Sequence, residues 1–323
     1  MRALWMESGT LGLVDLPVPD QPDECLIRVR YAGICGTDLH MRAGYADYTG
    51  VPGHEFVGVV ERVARPDQRH WLGQRVGGDI NAGCGRCRPC VEGVKEHCER
   101  RTVLGISDRP GTFAEYVTLP ASNLHPVPDA VDDRAAVFTE PVAAACRILD
   151  QVALGPGRTV AVLGDGRMGL LTAQVLATTG SPIVLFGRHE PRLTLARQFG
   201  LDARRSPAAP LAPSDRFDVV VELTGRTDGL ERALDLVRPL GTIVFKTTVP
   251  GTPALATWPI VVHEITIVGS RCGPFRPALA LLADGLVKTE PLIEGVFALE
   301  DYERAFAAAE HGLKVLFAIG EDA

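Results

Sequence analysis

The chain has 323 residues, of which 46% are apolar and 23% charged, a composition typical of globular proteins rather than of disordered or collagen-like chains. Its formal net charge is −7 and it contains no long basic run, which argues against a nucleic-acid partner. The length favours two domains, or one domain interrupted by another.

No segment has the pattern of a membrane helix or of a signal peptide. The longest uncharged stretch, 168–187, is divided by Thr172, Gln174 and Pro182, whereas a membrane helix needs about 20 predominantly apolar residues. At the N-terminus Glu7 follows Arg2 too closely for an apolar signal core. We therefore expect a soluble cytoplasmic protein without a membrane partner.

Short apolar runs separated by glycine and proline occupy roughly the first 130 residues, a pattern that predicts an all-β module. These runs lie at 26–31, 56–63, 75–80 and 113–119. The following segment, 132–149, favours a helix in which Pro141 produces a kink or begins a new helix.

Strands and helices alternate in the next part of the chain. The predicted strands are 159–163, 182–186, 218–223 and 242–245, and the predicted helices are 168–177, 192–199 and 230–237. This alternation predicts a parallel, doubly wound α/β sheet. Further helices at 277–285 and 299–310 precede a last strand at 314–319.

A glycine motif lies between the first of these strands and the helix after it. Gly164 permits a tight turn, Gly166 lets the backbone approach a pyrophosphate, and Gly169 lets the helix and the strand pack closely. This context predicts a dinucleotide site. The expected cofactor-binding residues of the motif, together with one after a later strand, are Gly164, Gly166, Arg167, Met168, Gly169 and Thr224.

The second strand of the alternation ends without a carboxylate. Many NAD sites have an acidic residue at this place, where it binds the ribose hydroxyls, but this chain has Gly187 and Arg188. An arginine pairs favourably with a 2′-phosphate. The sequence therefore predicts that NADP is preferred over NAD, the alternative being that Arg188 is a solvated loop charge.

Four cysteines are crowded into the segment 83–99. The spacing of Cys84, Cys87, Cys90 and Cys98 suits tetrahedral zinc, and four thiolates leave no coordination position open, so the predicted zinc is structural. A redox or disulfide role is the alternative.

A second set of metal-ligand types is dispersed along the chain. It comprises Cys35, the pair His54 and Glu55, and Glu140. A cysteine, a histidine and a carboxylate make three ligands with one position open, as a catalytic zinc requires. The sequence thus predicts two zinc ions per chain, unless Cys35 is an ordinary buried cysteine.

In their order and approximate spacing these motifs resemble the zinc-containing medium-chain dehydrogenase/reductase family, which includes alcohol, sorbitol, glucose and threonine dehydrogenases. The resemblance covers nearly the whole chain. It implies a GroES-like, β-rich catalytic zinc domain at 1–150 plus 276–323, with a Rossmann domain inserted at 151–275. It also implies reversible hydride transfer between a small alcohol, such as a polyol or a sugar, and NADP, in a homodimer or homotetramer.

The resemblance further implies roles for individual residues. Cys35 and His54 match zinc ligands, whereas Glu55 and Glu140 both match carboxylates that bind the zinc in some members, and the sequence does not decide between them. Asp38 matches a residue that orients the ligand histidine.

The same resemblance implies a route for the proton. Thr37 matches a hydroxyl relay, and His40 matches an imidazole that passes the proton outward. Two other functions stay open at this point: a zinc-free enzyme of the quinone reductase type, and a non-catalytic NADP-binding protein. The ligand set argues against the first, and the intact relay pair argues against the second.

Overall fold

The computed structural model describes residues 1–44, 48–248 and 255–320. They form two compact units, one made of Met1–Glu140 with Leu292–Ala323 and the other of Pro141–Pro291. The sequence analysis divides the chain at residues 150 and 276 instead. Residues 141–150 and 276–291 therefore belong to the second compact unit.

The N-terminal part of the first unit is rich in short strands, as predicted. Its strands are β1 (Arg2–Glu7), β2 (Thr10–Asp15), β3 (Cys25–Gly33), β4 (Thr49–Gly50), β5 (Glu55–Arg62), β6 (Arg75–Gly78), β7 (Asn81–Ala82), β8 (Thr102–Leu104), β9 (Asp108–Arg109), β10 (Tyr116–Leu119) and β11 (Leu124–Pro126). Its helices are α1 (Gly36–Arg42), α2 (Arg88–Val91) and α3 (Asp133–Ala136).

Strands and helices alternate from residue 139 onward. The strands are β12 (Val160–Leu163), β13 (Ile183–Gly187), β14 (Asp202–Arg205), β15 (Phe217–Glu222), β16 (Val237–Phe245) and β17 (Thr266–Gly269). The helices are α4 (Thr139–Gln151), α5 (Arg167–Ala177), α6 (Glu190–Gln198), α7 (Gly229–Leu236), α8 (Trp258–Val262) and α9 (Phe275–Ala283). The C-terminal elements are β18 (Ile293–Ala298), α10 (Tyr302–His311) and β19 (Lys314–Ala318).

Pro141 begins a new helix rather than kinking a long one. It lies in the first turn of α4, where an intrahelical N–H donor is not needed. Within the described ranges, none of these helices is long and apolar enough to cross a membrane.

A seven-stranded sheet organises the first unit. Its order is β11-β6-β5-β3-β19-β18, and β10 also pairs with β3. Strand β3 is antiparallel to β5, β10 and β19, with Gly33 opposite both Glu55 and Leu316. The C-terminal segment thus completes the sheet that the N-terminal residues begin.

Buried aromatic rings pack beneath this sheet. Phe113 meets Phe317 edge to face, with ring centroids 5.0 Å apart, and meets Phe306 in the same way at 6.1 Å. Phe113 also requires a glycine at position 53, because a Cβ on Gly53 would lie 2.5 Å from its ring. Gly53 has a φ of +95°, and it directly precedes His54.

The second unit contains a six-stranded parallel sheet of order β14-β13-β12-β15-β16-β17. This confirms the predicted doubly wound sheet. The direction of winding reverses between β12 and β15, and in such sheets ligands bind beyond the carboxyl ends of the strands at this point. Strand β12 ends at Leu163, β13 at Gly187 and β15 at Glu222.

Candidate metal and cofactor sites

The four cysteines of the segment 83–99 come together in the first unit. The sulfur atoms of Cys84, Cys87, Cys90 and Cys98 all lie within 4.8 Å of one another, and no disulfide joins cysteines in the described part of the chain. The backbone N–H groups of Arg86 and Cys87 lower the pKa of the Cys84 thiol to about 5. A thiolate is the form that binds zinc, so this donor set fits the ion.

Close packing fixes the shape of this cysteine lobe. A Cβ on Gly83 would lie 2.8 Å from the sulfur of Cys90 and 2.9 Å from the Cβ of Lys95, so only glycine fits there. Lys95 is anchored in turn by an ion pair with Asp79 at 3.0 Å. The side-chain amide of Asn123 donates to the carbonyl of Asp79 at 2.7 Å, which connects the lobe to the main sheet.

The dispersed ligand set also comes together, in part, within the first unit. Ligand atoms of Cys35, His54 and Glu55 all lie within 4.8 Å of one another. Cys35 follows the end of β3 and caps α1, whereas His54 and Glu55 lie at the start of β5. The pairing of β3 with β5 therefore brings the three side chains together.

Asp38 is buried behind His54. One of its carboxylate oxygens accepts the backbone N–H of Cys35 at 2.8 Å. The other lies 3.6 Å from Nδ1 of His54, and neither of these two atoms has a hydrogen-bond partner among the described residues. Burial lowers the pKa of His54, but the charges of Asp38 and Cys35 raise it well above its usual range. The negative charges around the imidazole favour a cation at this place, and a thiolate, a neutral imidazole and a carboxylate form a donor set that fits zinc.

Glu55 has a partner that the sequence analysis missed. Lys314, at the start of β19, is 1% exposed, and its Nζ forms an ion pair with the Glu55 carboxylate. The same Nζ lies 3.4 Å from the carbonyl of Ile34 and 5.6 Å from the ring centroid of Phe138. The available signal was a charge within an otherwise apolar strand, in a chain with four lysines.

Glu140 is half-buried at the second position of α4, outside the group of ligand atoms that lie within 4.8 Å of one another. Burial raises the pKa of its carboxyl to about 7, against the opposing charges of His54 and Lys314. Because the charges of His54 and Lys314 act on its carboxyl group, Glu140 lies near the group formed by Cys35, His54 and Glu55. Both candidate carboxylates are therefore present, and Glu55 is the one already paired with a cation.

The two residues of the predicted proton route lie on α1. Oγ1 of Thr37 is 3.9 Å from the sulfur of Cys35, and Thr37 is half-buried. His40 follows it on the same short helix and is exposed. The pair thus extends from the cluster to the surface of the unit.

A cavity of about 130 Å³ lies at the carboxyl ends of the parallel strands in the second unit. The predicted cofactor residues that line it are Gly164, Gly166, Gly187, Arg188 and Thr224. Arg167, Met168 and Gly169 form the first turn of α5 instead. Gly169 is needed for packing, because a Cβ there would lie 1.9 Å from the carbonyl oxygen of Gly164.

The cavity is more basic than the sequence analysis anticipated. Arg192, Arg226 and Arg232 line it along with Arg188. The exposed guanidinium of Arg188 has no hydrogen bond or ion pair with other residues that the structure describes. Two further lining residues that the sequence analysis did not assign to the cofactor are Asp165 and His189.

We expect Lys314→Met to destabilise the first unit by about 3–5 kcal/mol, because it leaves the Glu55 carboxylate buried without a counter-charge. The double variant Lys314→Met with Glu55→Gln removes both charges and should recover most of this loss. Urea denaturation followed by circular dichroism measures both. A single variant as stable as the wild type would show that the pair contributes nothing to folding.

Comparisons with known proteins agree with this geometry. The family profile described as alcohol dehydrogenase GroES-like domain matches residues 21–129, and the one described as zinc-binding dehydrogenase matches residues 168–284. The chain is 30% identical to a sorbitol dehydrogenase of Halalkalibacterium halodurans over 96% of both chains. It is 35% identical to an L-threonine 3-dehydrogenase of Streptomyces avermitilis over 97% of both.

Two solved structures extend the comparison. One is described as a short chain alcohol dehydrogenase from E. coli CFT073 complexed with NADH, with a TM-score of 0.90 and 30% identity over 99% of both chains. The other is described as a zinc-binding dehydrogenase from Sinorhizobium meliloti 1021 bound to NADP, with a TM-score of 0.89 and 30% identity over 98% of both. The chain therefore belongs to the zinc-containing medium-chain dehydrogenase family and is a zinc-dependent alcohol dehydrogenase.

Proposed function

We propose that this protein transfers a hydride reversibly between the carbinol carbon of a polyol, a sugar or a related hydroxy compound and NADP. The observation that carries the proposal is that Cys35 and His54 converge beside the hydroxyl of Thr37, with the carboxyl groups of Glu55 and Glu140 near them. The relatives named as sorbitol and L-threonine 3-dehydrogenases support the class of substrate.

We propose Cys35, His54 and Glu140 as the ligands of a catalytic zinc ion. Glu55 is the less suitable carboxylate, because its charge is already balanced by Lys314 in a buried ion pair. When bound there, zinc polarises the oxygen of an alcohol and lowers the pKa of its hydroxyl group. Asp38 holds the imidazole of His54 in orientation from behind.

The residues of α1 then move the proton. The Thr37 hydroxyl can accept a hydrogen bond from a substrate hydroxyl and donate one of its own. His40, exposed on the same helix, passes the proton to solvent. The carbinol carbon would give its hydride to the oxidised nicotinamide cofactor and the hydroxyl proton would leave through these side chains, so that the alcohol becomes a carbonyl compound.

We propose a second, structural zinc ion in the cysteine lobe. Cys84, Cys87, Cys90 and Cys98 supply all four ligands of a tetrahedral site, so no position remains for a substrate. The lobe contains only short helical segments, 88–91 and 95–97, so the ion would supply most of the stability of the lobe.

The proposed preference for NADP depends on the end of β13. Arg188 there is exposed and carries a guanidinium without another partner in the described ranges, and Arg192 lines the same cavity. Guanidinium groups bind phosphate through paired, charge-assisted hydrogen bonds. The residues at the end of the strand and directly after it, Gly187, Arg188 and His189, include no carboxylate that would repel a 2′-phosphate.

We also propose a homodimer or homotetramer. Strand β17 is an edge strand of the parallel sheet. On the helix before it, Trp258, Val261 and Val262 are 63%, 76% and 65% exposed. Apolar side chains at such exposure beside an open strand edge are typical of a surface that another subunit covers.

An assay of the zinc-loaded protein against polyols, sugars and hydroxy amino acids, with NADP and with NAD, tests the proposed function. We expect formation of the reduced cofactor with at least one of these alcohols, and faster with NADP. Protein that retains zinc and binds cofactor, yet turns over no alcohol or carbonyl compound, would favour a non-catalytic cofactor-binding role.

We expect Thr37→Ala to lower turnover about a hundredfold or more, since a positioned proton-transfer group typically contributes that much. Zinc content and the dissociation constant for NADP should stay unchanged. Thr37→Ser keeps the hydroxyl and is the matched control, with turnover near the wild-type value. Full turnover in the alanine variant would remove Thr37 from the proton route.

We expect Arg188→Ala to weaken NADP binding about tenfold to a hundredfold, because it removes charge-assisted hydrogen bonds to the 2′-phosphate. The affinity for NAD should change little. Arg204→Ala is the control, since Arg204 is an exposed arginine that pairs with Asp202 at 2.6 Å and does not line the cavity. Calorimetry with both cofactors measures this, and tighter binding of NAD by the wild type would overturn the NADP assignment.

A further inference from the structure

Asp165, the second residue of the glycine motif, connects two turns of the cofactor site. Its side chain is buried, with 6% of the residue exposed. One carboxylate oxygen accepts the backbone N–H groups of Arg188 and His189, each at 2.7 Å. Nδ1 of His189 lies 3.0 Å from the other oxygen. The turn after β12 is thereby fastened to the turn after β13, which carries Arg188.

The carboxylate of Asp165 is well matched by these donors. Burial raises the pKa of Asp165, but the hydrogen bonds from His189 and from the Arg188 backbone outweigh it and lower the pKa below its usual value. The group is therefore ionised at neutral pH. The negative carboxylate holds the turn that carries Arg188 through hydrogen bonds from three nitrogen atoms, the two backbone N–H groups and Nδ1 of His189.

Asp165 also fills the space beside Gly187. A Cβ built on Gly187 would lie 2.4 Å from the Cβ of Asp165 and 2.5 Å from its Oδ2. Distances this short exclude any side chain at position 187 while Asp165 keeps its place. Gly187 is the last residue of β13, and an NAD site commonly carries the acidic residue that binds the ribose hydroxyls around the end of this strand.

We infer that Asp165 is the specificity-determining residue of this cofactor site: it excludes an acidic side chain at position 187 and positions the turn that presents Arg188 to the 2′-phosphate. It acts as a positioning residue, through its hydrogen bonds to that turn. The inference rests on the proposed preference for NADP. Position 187 therefore cannot accept an acidic side chain as long as Asp165 occupies the neighbouring space.

A double-variant cycle over positions 165 and 187 tests the inference. The variants are Gly187→Asp, Asp165→Gly and the combination of the two, each measured by calorimetry with NADP and with NAD. We expect Gly187→Asp alone to bind both cofactors poorly. The combined variant should bind NAD at least about tenfold more tightly than Gly187→Asp alone, because neighbouring side chains that compete for space are strongly coupled.

The single variant Asp165→Gly isolates the positioning role. Its affinity for NADP should fall about tenfold more than its affinity for NAD, since the two cofactors differ only in the phosphate that Arg188 would bind. Asp165→Asn is the matched control, because its amide oxygen can still accept the two backbone N–H groups. We expect it to retain the preference to within about threefold.

A stability measurement covers the case in which Gly187→Asp does not fold. Gly187→Ala adds only a Cβ, which would lie 2.4 Å from that of Asp165. It should lower the thermal midpoint clearly in the wild-type background and much less in the Asp165→Gly background. An equal decrease in both backgrounds would contradict the steric exclusion.

The outcomes separate this inference from the proposed function. If the wild type prefers NADP but Gly187→Asp alone binds NAD tightly, or Asp165→Gly leaves the ratio of the two affinities unchanged, the inference fails and the NADP assignment stands. If the wild type prefers NAD and Asp165→Asn weakens NAD more than NADP, the Asp165 carboxylate itself binds the ribose hydroxyls. Both the inference and the NADP assignment then fail.

Discussion

The pairing of β3 with β5 and β19 is the constraint on which the candidate metal site at Cys35, His54 and Glu55 depends. Gly33, at the end of β3, is opposite Glu55 in one direction and Leu316 in the other. This register places Cys35 beside His54, and it brings Lys314 from the C-terminal strand to the Glu55 carboxylate. A shift of one residue in either pairing would turn these side chains to the opposite face of the sheet. The C-terminal segment thus contributes Lys314 to the candidate metal site as well as a strand to the fold.

Each of the two units contains a buried aspartate whose carboxylate accepts hydrogen bonds from backbone N–H groups. Asp38 accepts the backbone N–H of Cys35 and lies behind His54, whereas Asp165 accepts the backbone N–H groups of Arg188 and His189. Backbone donors at turns need acceptors when they are buried, and a carboxylate satisfies them with strong, charge-assisted bonds. In each unit the carboxylate holds the backbone at a proposed site residue, Cys35 in the first unit and Arg188 in the second.

The sequence was most informative where function depends on local spacing. The four cysteines lie within a short segment, and the glycine motif stands between a strand and a helix, so both could be predicted without knowing the fold. The ion pair of Lys314 could not be predicted in this way, because its partner Glu55 is 259 residues away in the sequence and only the register of β19 brings the two together. Strand β14 was missed because Ala203 is its only buried residue, which leaves no apolar pattern. The role of Asp165 depends on a backbone turn whose path the sequence does not reveal.

We propose that the chain holds two zinc ions at separate sites, and elemental analysis of three purified proteins distinguishes these sites. We expect about two zinc ions per wild-type chain, and about one in each of Cys98→Ser and His54→Ala, because each substitution removes a ligand from a different site. A wild-type value near one that His54→Ala leaves unchanged and Cys98→Ser abolishes would contradict the presence of two zinc sites. The cluster at Cys35 would then hold no zinc, and catalysis through that cluster would be ruled out.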